Sequence, residues 1–333
     1  GAKPMRYFIL SIIVLSAASS ISGQAEWQRL ETGTLAWLRA LHFTNEESGW
    51  IGGTAGTLLR TEDGGRTWRN SESPTKDDIR DIYFSDARRG WLLCESDIFG
   101  RGANSPAYIL VTNDSGVTWD HAEVEPGPER MLRFVGGSNG ELRYVLGEMG
   151  TMLKASSDGK RFTRTRLAGQ TMLSSGKMLD AKHGIIVGGM ATIIVTEDDG
   201  ATWKPASVSG GLTGLDDTPR RTGRLNSVFF LDSQKGWAAG NAGTILATVN
   251  RGRNWRSANT GTESDLNDVL FLDEQNGVAA GNDGTLITTA DGGETWKKEV
   301  SGTKHRLERL GTVKGRIFAI RFGGMLLTKI SRP

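Results

Sequence analysis

Cysteine is nearly missing from this chain. Cys94 stands alone among 333 residues, which excludes an intramolecular disulfide and a cysteine-built metal cluster. Histidine is almost as scarce. His42, His121, His183 and His305 show no ligand spacing, so each is read as an ordinary side chain and neither metal nor cofactor is expected. Net charge is lacking too. The 40 basic and 38 acidic residues nearly cancel, and setting aside 1–25 removes only Lys3 and Arg6, leaving 38 of each. Bulk attraction to nucleic acid or membrane is therefore unsupported. The one sustained apolar run, Phe8 to Leu15, is short for a spanning helix.

That run has a context. Met5-Arg6-Tyr7 precedes it and small residues follow to Ala25, which predicts a secretory signal peptide over 1–25, with 1–4 a tag or an upstream start. An uncleaved anchor is the alternative; with no cysteine nearby, a lipid anchor is not expected. Residues 26–333 then form one exported domain, in the periplasm or outside the cell.

What is abundant is glycine, 45 residues, and repetition. The stretch 277–296, GVAAGNDGTLITTADGGETW, recurs at 49–68, 184–203 and 236–255. Each copy reads as two short strands joined by a turn rich in residues that tolerate positive φ, then a second turn closed by an aromatic. The closing pattern, S/T-x-D-x-G-x-T-W, is an Asp-box. It is carried by Asp63/Trp68, Asp114/Trp119, Asp198/Trp203 and Asp291/Trp296, with Asn250 in place of the acid before Trp255 and a worn copy ending at Phe162. Residues repeated this way cannot all face one site, so these are structural: the carboxylate accepts from turn N–H groups and the ring packs between sheets.

Used as a ruler, Trp27, Trp68, Trp119, Phe162, Trp203, Trp255 and Trp296 are spaced by 41, 51, 43, 41, 52 and 41 residues. An apolar strand precedes each unit and a short polar strand follows each aromatic, which makes four strands, A to D, per repeat. The expected fold is all-β, a seven-bladed propeller of four-stranded blades. Residues 27–32 read as an orphan strand D and 306–329 as strands A to C, so the two chain ends share the last blade and close the ring.

Two repeats are long, through Glu95–Pro106 and Lys204–Arg224. Both insertions fall on the face that carries the B–C and D–A connections. Tolerated drift at exposed tips is the other reading. The start of the inner strands adds a polar collar at the same mouth: Arg39, Arg80, Arg133, Ser174, Asn226, Asn267 and Glu308. Of these, Arg39, Arg80, Arg133, Asn226 and Asn267, with Arg101, Arg220, Arg221 and Arg224 from the insertions, are the candidate partner-binding residues. Grouped guanidinium groups suit carboxylates or phosphates, unless they are spent on nearby acids such as Asp81 or Glu308.

The GWxxGxxGTLLxTxDGGxTW repeat, the export signal and the arginine-rich mouth together resemble the photosystem II stability/assembly factor-like family of BNR/Asp-box propellers. The resemblance covers about 27–331. It implies a non-enzymatic, chaperone-like assembly factor for a membrane complex, a role in photosynthesis in phototrophs, and a protein partner met through an arginine patch, here Arg39, Arg80 and Arg133. The partner segment would be acidic or end in a free carboxylate. Asp-boxes also occur in sialidases and glucan hydrolases, so a glycoside hydrolase is the competing reading. Against it, the early Arg-Ile-Pro motif is absent, Tyr83, Tyr108 and Tyr144 fall within expected strands, and only Glu95, Asp216 and Asp217 offer a carboxylate pair. No catalytic residue is assigned.

Overall fold

The computed structural model describes residues 26–96, 107–209 and 223–330. The expected signal peptide at 1–25, Arg101 in one insertion and Asp216, Asp217, Arg220 and Arg221 in the other lie outside the described residues. Among those described, no helix is long and apolar enough to cross a membrane.

The chain is a seven-bladed β-propeller. Seven antiparallel sheets follow one another around the ring, and each is built in chain order from an innermost strand A to an outermost strand D. The A strands are Leu38–Phe43, Asp78–Phe84, Met131–Gly136, Leu173–Met178, Leu225–Phe230, Leu266–Phe271 and Leu307–Val313, for blades one to seven. Blade seven takes its strand D from the other end of the chain: Gln28–Glu31 pairs antiparallel with Met325–Ile330, Gln28 opposite Thr328 and Glu31 opposite Met325. Blades three and five carry a fifth strand that the repeat did not announce. Glu123–Val124 and Ser207–Ser209, leaving blades two and four, add in parallel to the outer strands Arg161–Arg166 and Asn254–Ala258 of the next blade. Each clasps two neighbouring blades at the outer edge.

The B strands lie in the middle of the blades, and Gly49–Gly53, Gly184–Gly188 and Gly277–Gly281 are buried along their whole length. Small residues there let blades approach, and the large ones fill what remains. Trp237 stacks on Phe271 of the next blade with centroids 3.5 Å apart, and Trp50 on Phe84 at 5.7 Å. The box glycine of the following blade slides beneath the same ring. At Gly116 a Cβ would meet the Trp50 indole at 2.9 Å, and its φ of +81° already favours glycine.

The boxes are built as expected. In blade one the Thr61 hydroxyl donates to Asp63 Oδ1 (2.8 Å), which also accepts from Thr67 N (2.9 Å), while Thr67 Oγ1 donates to Oδ2 (2.6 Å). Blades two, four and six repeat this set. Asn250 keeps the two bonds to its Oδ1, from Thr248 Oγ1 (3.1 Å) and Asn254 N (3.0 Å). The box aromatics Trp68, Trp255, Trp296 and Phe162 are buried, and Trp119 and Trp203 are half-buried.

The mouth of the channel as a candidate binding site

One device sets the geometry of the mouth. Near the start of each inner strand an anchor residue pairs with the end of strand B, the register then slips by one residue, and pairing resumes: Leu38 with Gly53 then Ala40 with Gly52, Met131 with Gly147 then Arg133 with Leu146, Leu307 with Arg321 then Arg309 with Ile320. The same slip occurs in the other four blades. Such bulges re-aim a side chain where a strand ends. The bulged residues make the rim: Arg39, Arg80, Leu132, Ser174, Asn226, Asn267 and Glu308. The paired residues after them make a second layer: Ala40, Asp81, Arg133, Ser175, Ser227, Asp268 and Arg309.

This register corrects one expectation. Arg133 does not share the level of Arg39 and Arg80. Met131 is the anchor of blade three, so Leu132 takes the rim and Arg133 falls one layer down. Leu132-Arg133 imitates Leu38-Arg39 in sequence, and nothing local distinguishes the two. The sequence reading also passed over Arg130, Arg306 and Arg309. The first two, like Arg224, immediately precede an anchor residue, a pattern visible once Met131, Leu225 and Leu307 are aligned.

Together these side chains line a polar cavity of about 400 Å³ shared by Trp37, Arg39, Arg80, Arg130, Arg133, Arg224, Arg306 and Arg309. A larger concavity of about 530 Å³ lies on the same face between the loops around Asp283 and Lys298–Lys304, but no set of like charges converges there.

Several members of the collar have structural partners. Arg39 pairs with Asp78 at 3.3 Å and lies 4.3 Å over the Trp37 ring. Arg80 pairs with Glu95 at 2.8 Å, and Arg130 holds the same carboxylate at 2.5 Å. The pairing considered from sequence therefore occurs for Arg39 and Arg80, but with Asp78 and Glu95. Asp81 instead accepts from Phe134 N of blade three (2.8 Å), and Glu308 accepts from Trp37 Nε1 (2.9 Å) and pairs with Arg306 (3.0 Å). Trp37, just ahead of the first A strand, is thus a wall of the mouth. Asn226 and Asn267 are staples between blades, donating to Leu266 O (2.7 Å) and Leu307 O (2.8 Å).

The remaining charge is strained. Burial, then the neighbouring Arg309, pull the Arg133 guanidinium down to about 10. Burial, then Arg306 and Arg309, lower Arg224 as well. Burial also lowers Arg80, although Glu95 opposes it. A region whose own cations repel one another after its acids are engaged is suited to anionic groups.

Comparison with known proteins agrees with this architecture. The family model described as photosynthesis system II assembly factor YCF48 matches residues 19–79 and 170–263. The photosystem II stability/assembly factor HCF136 of Arabidopsis thaliana, chloroplastic, is 25% identical over 319 residues, covering 74% of this chain and 75% of the relative. The chain is similar to the photosystem II assembly-factor propellers over much of its length. The photosystem II assembly lipoprotein Ycf48 of Synechococcus sp. (strain CC9902) adds a shorter match, 36% identical over 76 residues, 23% of this chain and 20% of that one. Among solved structures, YCF48 bound to D1 peptide superposes with a TM-score of 0.70 at 20% identity, over 93% of this chain and 98% of that one. The fold itself is shared more widely. A GH74 xyloglucanase from Xanthomonas campestris gives a TM-score of 0.67 at 12% identity, over 90% of this chain but 53% of that one.

Proposed function

We propose that this chain is an exported, non-enzymatic propeller that holds a segment of a membrane-complex subunit during assembly, in the manner its assembly-factor relatives suggest. The observation that carries this reading is the mouth: seven arginines converge on one cavity at one end of a rigid ring. An acidic or carboxylate-ending segment is the complementary ligand, drawn in by the focused field although the protein is close to neutral overall. A solved relative titled YCF48 bound to D1 peptide supports a peptide-like client. For a phototrophic source, that client would be a reaction-centre subunit.

The hydrolase reading draws little from the mouth. Glu95 is clamped by Arg80 and Arg130. The hydroxyls of Tyr83 and Tyr144 are bonded to Gly140 O (2.9 Å) and Asp199 O (3.0 Å), and that of Tyr108 to Asp77 (2.8 Å).

The experiment is affinity capture from detergent-solubilised membranes of the source organism, with wild type and an Arg130→Gln/Arg224→Gln/Arg306→Gln variant, at low and high salt. Wild type should retain subunits of one membrane complex at low salt, lose them at high salt, and outperform the variant at least tenfold. Equal recovery of the same subunits by both proteins would move the client to another surface.

A further inference from the structure

One layer of the channel holds two arginines that, among the described residues, make no direct ion pair. Arg133, from blade three, and Arg309, from blade seven, enter the same cavity from opposite walls of the ring, one level below the rim. Among the described residues no acid lies within ion-pair distance of either. Arg133 Nε is sealed from solvent and has no hydrogen-bond partner. The two acids of the same layer offset the Arg133 charge through space but make no ion pair with it, because their carboxylates accept hydrogen bonds elsewhere. Asp81 is taken by Phe134 N (2.8 Å), and Asp268 by Leu310 N (2.9 Å), Val269 N (3.0 Å) and the Ser227 hydroxyl. Ser174, buried on the rim of the adjacent blade four, also lines the cavity with a hydroxyl that has no partner.

Desolvated donors without acceptors are rare in folded proteins, and each asks for an explanation. Two like charges facing each other across a narrow channel ask for one more strongly, because a charge removed from water needs a counter-charge. Guanidinium forks match the oxygens of phosphate, sulfate or carboxylate and bind them through two parallel bonds.

We propose that this layer is an oxyanion site, in which Arg133 and Arg309, assisted by the Ser174 hydroxyl, hold one compact oxyanion on the channel axis. The site lies one layer below the rim in the same cavity; held by a chain-end carboxylate it rests on the client reading and deepens it, and held by a free oxyanion it stands apart from that reading. Arg224 and Arg306 lie above it and extend the positive field outward, so an anion is guided down to it. The same chemistry admits a free phosphate or sulfate, or a carboxylate at the end of an inserted chain.

The test is calorimetric titration of the full protein with inorganic phosphate at constant ionic strength, chloride making up the balance, accompanied by thermal melts. Wild type should bind one phosphate, and its Tm should rise by about 5 °C at a hundredfold excess over Kd. Arg133→Met and Arg309→Met should each weaken binding at least tenfold. Arg69→Met, on the exposed outer strand of blade one, should keep the wild-type affinity. Ser174→Ala, a small change, should weaken binding severalfold and serves if an arginine variant folds poorly. Absence of saturable binding to the wild type, or equal affinity in wild type and the Met variants, would overturn the proposal. A short peptide with a free terminal carboxylate, set against its amide, separates the two sources. Displacement of phosphate by the acid alone assigns the site to a chain end, and no displacement by either assigns it to a free oxyanion.

Discussion

At the scale of single residues, the repeated aspartates act through local hydrogen bonds. The hydroxyl and then the backbone N–H of Thr295, with the Thr289 hydroxyl, hold the Asp291 carboxyl down at about 2, well below its ordinary value, and Asp114 and Asp198 are held at about 2 by equivalent partners. Asp63 also sits at about 2; burial works against it, but bonds from Thr67 and Thr61 prevail. A carboxyl lowered on folding stabilises the native state above its unfolded pKa, and that stabilisation is lost as pH falls through the folded value. Acid melts should therefore show Tm falling between about pH 4 and pH 2, and Asp291→Asn should flatten part of that fall while changing little at pH 7. Blade five already lives with Asn250, which keeps both bonds to its Oδ1. An unchanged acid profile in Asp291→Asn would mean that the box carboxylates do not govern acid stability.

At the scale of elements, blades are joined by the aromatic of strand B and the box of the next blade. Trp237 stacks on Phe271 and donates through Nε1 to Gly292 O (3.1 Å), and Trp91 donates to Gly159 O (2.7 Å). Trp237→Ala should cost roughly 3–5 kcal/mol in urea unfolding, as expected for a large buried aromatic at a packed seam. The inner staples are smaller. Asn267→Ala would leave Leu307 O without its donor inside the ring and should cost about 1–3 kcal/mol. Wild-type midpoints for both variants would mean that blade contacts elsewhere carry the seam. The boxes were legible because a turn that needs positive φ, a carboxylate and an aromatic leaves a fixed pattern along seven or eight residues. The parallel clasps at Glu123–Val124 and Ser207–Ser209 left none, since their partners are strands roughly 40 residues further along and any extended dipeptide can make them.

At the scale of the whole molecule, closure depends on four residues from one end of the chain. Gln28–Glu31 completes blade seven, Thr32 Oγ1 donates to Gly324 O, and Gly324 N donates to Ala36 O (2.8 Å). Deleting 26–33 would open the edge of Met325–Ile330 and lose the ladder. The expected loss is on the order of 3 kcal/mol, from a few backbone bonds of about 1 kcal/mol each. Retention of the wild-type Tm by that deletion would show that the ring closes without a strand there.

By itself the sequence determined the repeat, the number of blades, the shared last blade and the face that bears the arginines, because each follows from spacing along the chain. Tertiary structure alone decided how deep each arginine sits and which of them are spent. Depth is set by the bulge, which makes Met131 rather than Leu132 the anchor of blade three and moves Arg133 below the rim. Availability is set by acids that arrive from other strands: Glu95 reaches Arg80 and Arg130, while Asp81 and Asp268 turn to backbone N–H groups of neighbouring blades. Both depend on distances across the ring that no local pattern encodes.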